Sequence, residues 1–278
     1  MPSMKTAGRA LFGLFVLTWS LGPIYWAVNV SLTTPVGLQA VPLHLTPDPF
    51  TLAHYTRLLD PANSGANSFY LALGNSVIEA GVATACIVFV SLLGGYAFAR
   101  WKFVGSRSMF LVIMATLSIP LLAVLIPLYR WTAELDLLDS YPPIVLLAIV
   151  ANLPLGLWIV RSFVASLPQE IEAAARLDGA NEPRILWSII LPLLGPAIVA
   201  VAIITFLTAW SAFLVPLFFS QSPATRPLTI FIANLATKEV RDLGLEAAAA
   251  CLSMAAPIVL VVALHRYLTS GLLKGAFK

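Results

Sequence analysis

The segment Pro168-Gln-Glu-Ile-Glu-Ala-Ala-Ala-Arg-Leu-Asp-Gly-Ala180 carries the clearest structural signal in the chain. Its proline suits the start of a helix, and Glu170 and Glu172 follow in the first turn, where acidic side chains stabilise the positive helix end. Gly179 can adopt a positive φ and end the helix, and Asn181 can cap a second helix beyond it. The segment therefore predicts a helix of about two to three turns, a sharp corner and a second helix.

The alanine run within this helix makes one of its sides thin. Ile171, Ala174, Ala175 and Asp178 share a face by their spacing. Small side chains allow another surface to approach closely, which favours a helix that docks on a second protein. An amphipathic connector that lies on lipid headgroups fits the same spacing. The residues alone leave both interpretations open.

The composition on either side of this segment is that of a membrane protein. The 278 residues are 59% hydrophobic and 10% charged, and the mean hydropathy is +0.91, whereas soluble domains carry about 25% charged residues. A soluble fold could not bury so much apolar surface. The net charge of +3 comes from basic residues in short loops between apolar runs. This pattern favours contact with membrane lipid, and we expect no nucleic-acid partner.

Six apolar runs are long enough to cross a bilayer. They cover Ala10–Val30, Leu71–Phe98, Met109–Leu128, Pro143–Val164, Ile185–Val215 and Ala247–Leu268. The first run is too long for a signal peptide and has no small-residue cleavage site, so it predicts an uncleaved helix. The sequence thus predicts an all-α integral membrane protein with six transmembrane helices.

The basic residues predict the orientation of these helices. With the N-terminus inside, 11 basic residues fall on the cytoplasmic side and 5 on the other side. The cytoplasmic residues are Lys5, Arg9, Arg100, Lys102, Arg107, Arg161, Arg176, Arg184, Arg266, Lys274 and Lys278. The others are Arg57, Arg130, Arg226, Lys238 and Arg241. We expect both termini in the cytoplasm.

The chain lacks the sequence motifs of catalysis and of nucleotide binding. Cys86 and Cys251 lie inside apolar runs, the three histidines are scattered, and neither HExxH nor GxSxG occurs. The phosphate-binding pattern GxxxxGK[ST] is also absent. We expect no metal site, no enzyme activity and no ATP bound by this chain.

Glu79 and a group of aromatic residues are candidates for a solute path. An ionisable residue inside an apolar run is costly and usually faces a cavity or a partner; alternatively the helix begins later and Glu79 lies near the headgroups. Trp210, Phe213 and Phe218 could stack on sugar faces or belong to the interfacial aromatic belt. Pro192, Gly195 and Pro196 predict a kink near the start of the fifth run.

Several short motifs occur in an order that resembles one family of membrane proteins. They are Asn75-Ser76, Gly95-Tyr-Ala-Phe-Ala-Arg100-Trp-Lys-Phe-Val-Gly105, Pro127-Leu-Tyr129, Glu172-Ala-Ala, Asp178-Gly179-Ala180, Ile189-Ile-Leu191-Pro192, Trp210-Ser-Ala-Phe-Leu-Val-Pro216 and Gly271–Lys278. Together they resemble the permeases of binding-protein-dependent ABC importers over nearly the whole chain. The last motif is similar to the tail of the carbohydrate-uptake branch, of the maltose-transporter type.

The resemblance implies a type I importer permease (MetI-like) fold in a single domain, residues 1–278, with a core at about 71–268 and a cytoplasmic coupling loop at 168–192. It also implies a second permease, two ATPase subunits that hold ATP and Mg²⁺, an extracytoplasmic solute-binding protein, and a bacterial or archaeal cytoplasmic membrane. The residues implied to couple to the ATPase are Glu170, Glu172, Ala173, Ala174, Ala175, Asp178, Gly179, Ala180, Leu191 and Pro192. Those implied to line the solute path are Asn75, Glu79, Trp210, Ser211 and Phe213.

The chain departs from the family pattern at two positions. Aligned on Asp178-Gly179, the usual glutamate position of the family falls on Ala173, and Glu172 precedes it, about 100° around the helix. The family often has glutamate at both positions. Ser211 stands where the family often has Asn, so an amide is replaced by a hydroxyl.

The resemblance favours a sugar as the substrate, and glycerol phosphate or a related polyol ester is the alternative. A secondary transporter driven by an ion gradient is a rival from another class. Such a carrier would favour intramembrane charged pairs and internal repeats, and only Glu79 fits that pattern.

Overall fold

Helices account for the regular structure of residues 4–42, 44–237 and 242–275, the part of the chain that the computed structural model describes. Within these residues there is no strand, and Thr33 and Phe50 form an isolated antiparallel bridge. The α-helices are α1 (Met4–Ser31), α2 (Ala53–Leu59), α3 (Ser64–Arg100), α4 (Ser106–Ala115), α5 (Leu121–Glu134), α6 (Tyr141–Ser166), α7 (Glu170–Leu177), α8 (Glu182–Arg184), α9 (Leu191–Leu193), α10 (Gly195–Trp210), α11 (Leu214–Phe219), α12 (Leu228–Ala236), α13 (Leu243–Ser253) and α14 (Ala255–Gly275). A π-helical turn, Ile185–Ile190, joins α8 to α9. Short 3₁₀ turns cover Gly37–Gln39 and Thr116–Ser118.

Four continuous helical segments of the described chain are long and apolar enough to cross a membrane. They are Leu11–Ser31, Gly65–Arg100, Tyr141–Ser166 and Leu243–Arg266. Two further segments pass the same test only as bent pairs, Ser106–Ser118 with Leu121–Glu134 and Glu182–Leu193 with Gly195–Trp210. If each bent pair is one span, the described chain has six, as the apolar runs predict.

The third and fifth runs are bent, and only the bend in the fifth is predicted from the sequence. The third bends by 93° where Pro120 takes an extended conformation, φ −61° and ψ 127°. Proline cannot donate a backbone hydrogen bond, and it disfavours a helical conformation at the preceding residue. The fifth bends by 75° around Leu194. Pro192, Gly195 and Pro196 surround this bend, so the predicted kink is confirmed.

The chain divides into two compact units. The first contains Met1–Leu71 and Ile230–Ala255, and in it α13 packs against α1 and α2. Asp242 accepts a hydrogen bond from Arg57 at 2.7 Å. Three of the basic residues used to predict the orientation lie outside the described residues: Lys238, Arg241 and Lys278.

The second unit contains Ala72–Thr229 and Ala256–Lys278. Its core joins buried residues of α3, α6, α7 and the bent fifth segment; they include Ala83, Ile87, Val160, Val164, Ala175, Ile185, Ile190, Leu194 and Val201. The helices α3 and α6 approach closely at Gly95. A Cβ at Gly95 would lie 2.7 Å from Cγ1 of Val160 and 2.9 Å from the backbone nitrogen of Arg161. The close approach therefore depends on the missing side chain.

Candidate functional site

The segment Pro168–Ala180 forms the predicted helix and corner. The helix α7 ends at Leu177, and Gly179 has φ +81°. The amide of Ala180 bonds to the carbonyl of Ala175 at 3.0 Å, and that of Gly179 to the carbonyl of Arg176 at 3.1 Å. This pair of bonds is the Schellman motif, which favours glycine at the left-handed position.

The second helix is capped as the sequence predicts. Oδ1 of Asn181 accepts a hydrogen bond from the backbone amide of Arg184 at 3.0 Å. The cap satisfies one of the free donors at the start of the bent fifth segment. The fifth segment therefore begins at a fixed angle only a few residues after α7 ends.

The four residues of α7 that share a face by their spacing differ in burial. Glu172 and Ala175 are buried and Ile171 is half-buried, whereas Ala174 and Asp178 are exposed. The charge of Glu172 has partners beneath the helix, so the helix turns that residue inward. We call the opposite side the outer face of α7; it consists of Glu170, Ala173, Ala174, Leu177 and Asp178, all exposed. Leu177 is 90% exposed, although it is a large apolar residue.

Glu172 is held by its own chain beneath α7. The Nε of Arg100 donates to its Oε1 at 2.6 Å, and the hydroxyl of Tyr96 donates to its Oε2 at 3.2 Å. A second nitrogen of Arg100 donates to the carbonyl of Leu167 at 3.0 Å. Glu172 is 2% exposed, so a partner protein cannot contact its carboxylate in this conformation. A buried charge needs such partners because they offset its loss of hydration.

Glu182 extends this cluster to the start of the fifth segment. Its Oε1 accepts from Nε of Arg176 at 2.8 Å, and its Oε2 lies 3.3 Å from the Tyr96 hydroxyl. One hydroxyl hydrogen can serve Glu172 or Glu182 at a given moment, but not both. The ion pairs thus join α7 both to the end of α3 and to the helix beyond the corner.

The other predicted coupling residues lie around this cluster. Ala180 and Leu191 are half-buried and pack against the core of the second unit. Pro192 is exposed beside the bend. Sequence reasoning missed the inward role of Glu172 and the roles of Tyr96 and Arg100. Their partners are distant in the chain, so no local pattern indicates these contacts. The sequence offered one signal, which is that Tyr96 and Arg100 belong to one of the motifs that resemble the family.

Asn75 and Ser76 tie α3 to the loop before α12. The amide nitrogen of Asn75 donates to the carbonyls of Pro223 at 3.1 Å and Arg226 at 2.9 Å, and its oxygen accepts from the Tyr141 hydroxyl at 2.7 Å. The Ser76 hydroxyl accepts from the amide of Leu228 at 2.8 Å. The side chain of Asn75 is thus engaged by its own chain.

A second cluster that sequence reasoning missed is centred on Asp139, which has φ +57°. Its Oδ1 accepts from the amides of Gln221 and Ser222, both at 3.0 Å, and from the Thr225 hydroxyl at 2.5 Å. Partial burial raises the pKa of Asp139, but these hydrogen bonds outweigh it and lower the pKa to about 2. The carboxylate therefore holds the loop after α11 in place.

A cavity of about 270 Å³ lies between α3, α5, α6 and α10–α11 of the second unit. Apolar side chains form most of its wall, and the polar lining residues are Glu79, Asn152 and Thr208. Glu79 is 6% exposed, and its Oε1 has no hydrogen-bond partner. The Thr208 hydroxyl lies 2.8 Å from Oδ1 of Asn152.

The predicted path residues are only partly brought together here. Glu79 and Phe213 line the cavity. Trp210 is buried and stacks on Phe206 with ring centroids 5.4 Å apart, and the Ser211 hydroxyl donates to the carbonyl of Leu207 at 2.8 Å. The helix α3 begins at Ser64, about four turns before Glu79. The helix therefore does not begin beyond Glu79, and the position of Glu79 relative to the lipid headgroups stays a prediction.

Within residues 4–42, 44–237 and 242–275, no group of three or more His, Cys, Asp or Glu side chains could hold a metal ion. The titratable clusters described above are ion pairs and hydrogen-bonded loops. Their geometry serves to position helices.

Comparison with known proteins identifies the class. Residues 91–274 match the family described as "binding-protein-dependent transport system inner membrane component". The osmoprotective compounds uptake permease protein of Synechocystis sp. is 33% identical over 85% of this chain and 78% of its own length. The sulfoquinovosyl glycerol transport system permease protein of Agrobacterium fabrum is 29% identical over 97% and 93%. The arabinooligosaccharides transport system permease protein of Halalkalibacterium halodurans is 30% identical over 88% and 86%.

A solved structure has the same fold. It is a crystal structure of a bacterial ABC transporter involved in the import of the acidic polysaccharide alginate, with a TM-score of 0.79, 20% identity, and coverage of 94% of both chains. The protein belongs to the family of binding-protein-dependent transport system inner membrane components. It is a multi-pass permease subunit of an ABC importer, with the MetI-like fold that the motifs imply.

Proposed function

We propose that this chain, together with a second permease, moves a sugar from an extracytoplasmic solute-binding protein into the cytoplasm. Two separate ATPase subunits would hold ATP and Mg²⁺ and hydrolyse the nucleotide. The membrane would be the cytoplasmic membrane of a bacterium or archaeon, with both chain termini inside, as the distribution of basic residues favours. In this proposal residues 1–278 act as one permease domain.

The observation that carries this proposal is the shape and anchoring of α7. Its outer face is thin at Ala173 and Ala174, and it exposes Leu177 without cover from its own chain. Its inner face is fixed by the Glu172–Arg100 ion pair and by Ala175 in the core. A helix that is open on one side and rigidly held on the other suits a docking element that transmits force.

The coupling step follows from these contacts. Closure of the ATPases on ATP would displace α7 as a rigid body. The ion pair would carry the displacement to α3, and the corner at Gly179 would carry it to the bent fifth segment. Both elements contribute to the cavity wall, α3 through Glu79 and the fifth segment through Thr208. A shift at α7 would thereby change access to the cavity.

The names of the relatives support a sugar as the cargo. Two of them are named for transport of arabinooligosaccharides and of sulfoquinovosyl glycerol, and a third, from Bacillus subtilis, for melibiose, raffinose and stachyose. These compounds contain sugar units. They favour a sugar over the alternative of glycerol phosphate or a related polyol ester.

Gene deletion combined with uptake tests the proposed function. Cells without the gene should lose uptake of at least one radiolabelled compound among arabinotriose, raffinose, melibiose and sulfoquinovosyl glycerol. A plasmid copy should restore it, and a plasmid copy with Gly179→Val, which puts a β-branched residue at φ +81°, should not. Unchanged uptake of all four compounds in the deletion strain would overturn the assignment of a sugar cargo.

A further inference from the structure

The Glu79 side chain is an unsatisfied group at the wall of a cavity. It is 6% exposed, and its Oε1 has no hydrogen-bond partner among the described residues. An unpaired buried polar atom costs free energy, so buried polar groups in native proteins are nearly always paired. A carboxyl group can hydrogen-bond a hydroxyl group whether or not it is protonated. The Glu79 carboxyl group lines the cavity and therefore fits a ligand that brings its own hydroxyl groups.

The other polar lining residues are already engaged with each other. Asn152 donates to the carbonyl of Ala148 at 2.8 Å and receives the Thr208 hydroxyl at 2.8 Å. Thr208 also has backbone carbonyls within reach, that of Ile204 at 3.0 Å among them. Among the lining side chains, Oε1 of Glu79 has no partner, and Asn152 uses only one of its two amide hydrogens in these bonds. Phe213 and aliphatic side chains form the apolar part of the wall.

We propose that this cavity binds one unit of an uncharged, hydroxyl-rich solute, with the Glu79 carboxyl bonded to a solute hydroxyl and Phe213 against its C–H surface. The inference rests on the proposed function and assigns to this permease its own contact with the cargo. The volume of about 270 Å³ lies just below the roughly 300–1,000 Å³ that is usual for small-molecule sites. It suits one monosaccharide unit rather than an oligosaccharide.

The lining also defines which solutes the site disfavours. None of the described side chains that line the cavity is Lys, Arg or His. A phosphate, sulfonate or uronate group would enter without a cationic partner, beside a carboxyl group and in mostly apolar surroundings. Burial of an unpaired charge is strongly unfavourable. The site thus selects neutral sugars over anionic ones.

Uptake in cells that carry the complete transporter tests this site. The probes are radiolabelled raffinose, melibiose and arabinotriose, which are neutral, and sulfoquinovosyl glycerol, which is a sulfonate. The unaltered transporter should import a neutral probe in preference to the sulfonate. Preferred import of the sulfonate would overturn the inference and leave the proposed function intact, whereas import of none of the four would overturn the proposed function itself.

Substitutions at Glu79 locate the contact. Glu79→Leu should raise KM for the imported neutral probe about tenfold or more, because a hydrogen bond to the solute is lost. Glu79→Gln should stay within about threefold of the unaltered protein, because its amide oxygen still accepts a hydrogen bond. Ile78→Leu, one residue away and exposed, is the matched control. An unchanged KM in Glu79→Leu would overturn the inference.

A labelling experiment tests occupancy of the cavity without the Glu79→Leu variant, which could fail to assemble into the transporter. In a background with Cys86→Ala and Cys251→Ala, Ala212→Cys places a thiol on the cavity wall. Saturating neutral probe should slow the reaction of N-ethylmaleimide with this thiol at least about threefold, by exclusion from the site. An equal rate with and without the probe would contradict occupancy of the cavity.

Discussion

Arg100 and Glu172 form a buried ion pair with Nε and Oε1 2.6 Å apart, which fastens the end of α3 to α7. The pair accounts for the inward orientation of Glu172, which is 2% exposed. At Ala173, about 100° around the helix, a side chain is exposed on the outer face of α7. The side chain of Glu172, one position earlier, points into the protein. In this permease the outer face therefore presents Ala173, and the glutamate positions the helix from below.

Loss of the Arg100 charge should break this connection. Arg100→Met leaves the Glu172 carboxylate buried without its main partner, which should destabilise the pairing of α3 and α7 by roughly 3–5 kcal/mol. We expect uptake to fall at least tenfold while the ATPase activity of the purified complex becomes insensitive to the solute-binding protein. Arg100→Lys should recover part of the coupling, and Lys102→Ala, at an exposed neighbour, should retain all of it. Coupled uptake in Arg100→Met would show that the pair is dispensable.

Substitutions at Gly179 should follow backbone conformation rather than size. At φ +81° an ordinary side chain costs about 1–2 kcal/mol, although a Cβ there would meet no atom within 4 Å. Asn tolerates this region better than Ala, and a β-branched residue tolerates it worst. Coupled uptake should therefore decrease in the order Gly, Asn, Ala, Val, as measured in proteoliposomes. Activity that falls with side-chain volume instead would indicate steric contact with a partner.

The Asp139 cluster predicts a stability change in acid. Since the folded-state pKa is lowered from 3.8 to about 2, the ionised carboxylate stabilises the folded loop above about pH 4 and loses this effect as the pH falls towards 2. Asp139→Asn removes this titration. The difference in Tm between the unaltered protein and Asp139→Asn in detergent should narrow between about pH 4 and pH 2. A difference that is constant over this interval would contradict the role of the charge.

A methyl group at Gly95 should disturb the contact between α3 and α6. The added Cβ would lie within 3.0 Å of a backbone nitrogen, which cannot move without shifting the helix. We expect Gly95→Ala to destabilise the protein by about 1–3 kcal/mol. Gly81→Ala on the same helix is the control, because a Cβ there meets nothing within 4 Å. Equal melting temperatures for the two variants would show that the helices are not closely packed at Gly95.

The features that the sequence predicts are those that depend on neighbouring residues. The six apolar runs, the corner at Gly179 and the cap at Asn181 are determined within a few residues. The 93° break at Pro120 was missed because the hydropathy of its run stays high across the proline.

The inward orientation of Glu172 depends on Arg100, 72 residues away in the chain. The loop held by Asp139 is likewise distant in sequence, since Ser222 lies 83 residues beyond it. No local pattern specifies such pairs. Glu79 combines a local and a distant feature. The free-energy cost of an ionisable side chain inside an apolar run is evident from the sequence. The cavity that Glu79 faces, by contrast, forms only when the helices pack together.

Site-specific photocrosslinking tests the docking of α7 most directly. The photoreactive residue p-benzoylphenylalanine would replace Ala174 on the outer face of α7, in the full transporter in its native membrane. The same substitution of Phe12, on the apolar surface of α1, is the control. We predict that mass spectrometry identifies an ATPase subunit cross-linked at position 174 and none at position 12. Cross-links from position 174 to lipid alone, in membranes that contain the ATPase, would contradict the coupling role of α7 and would identify it as a connector on the headgroups.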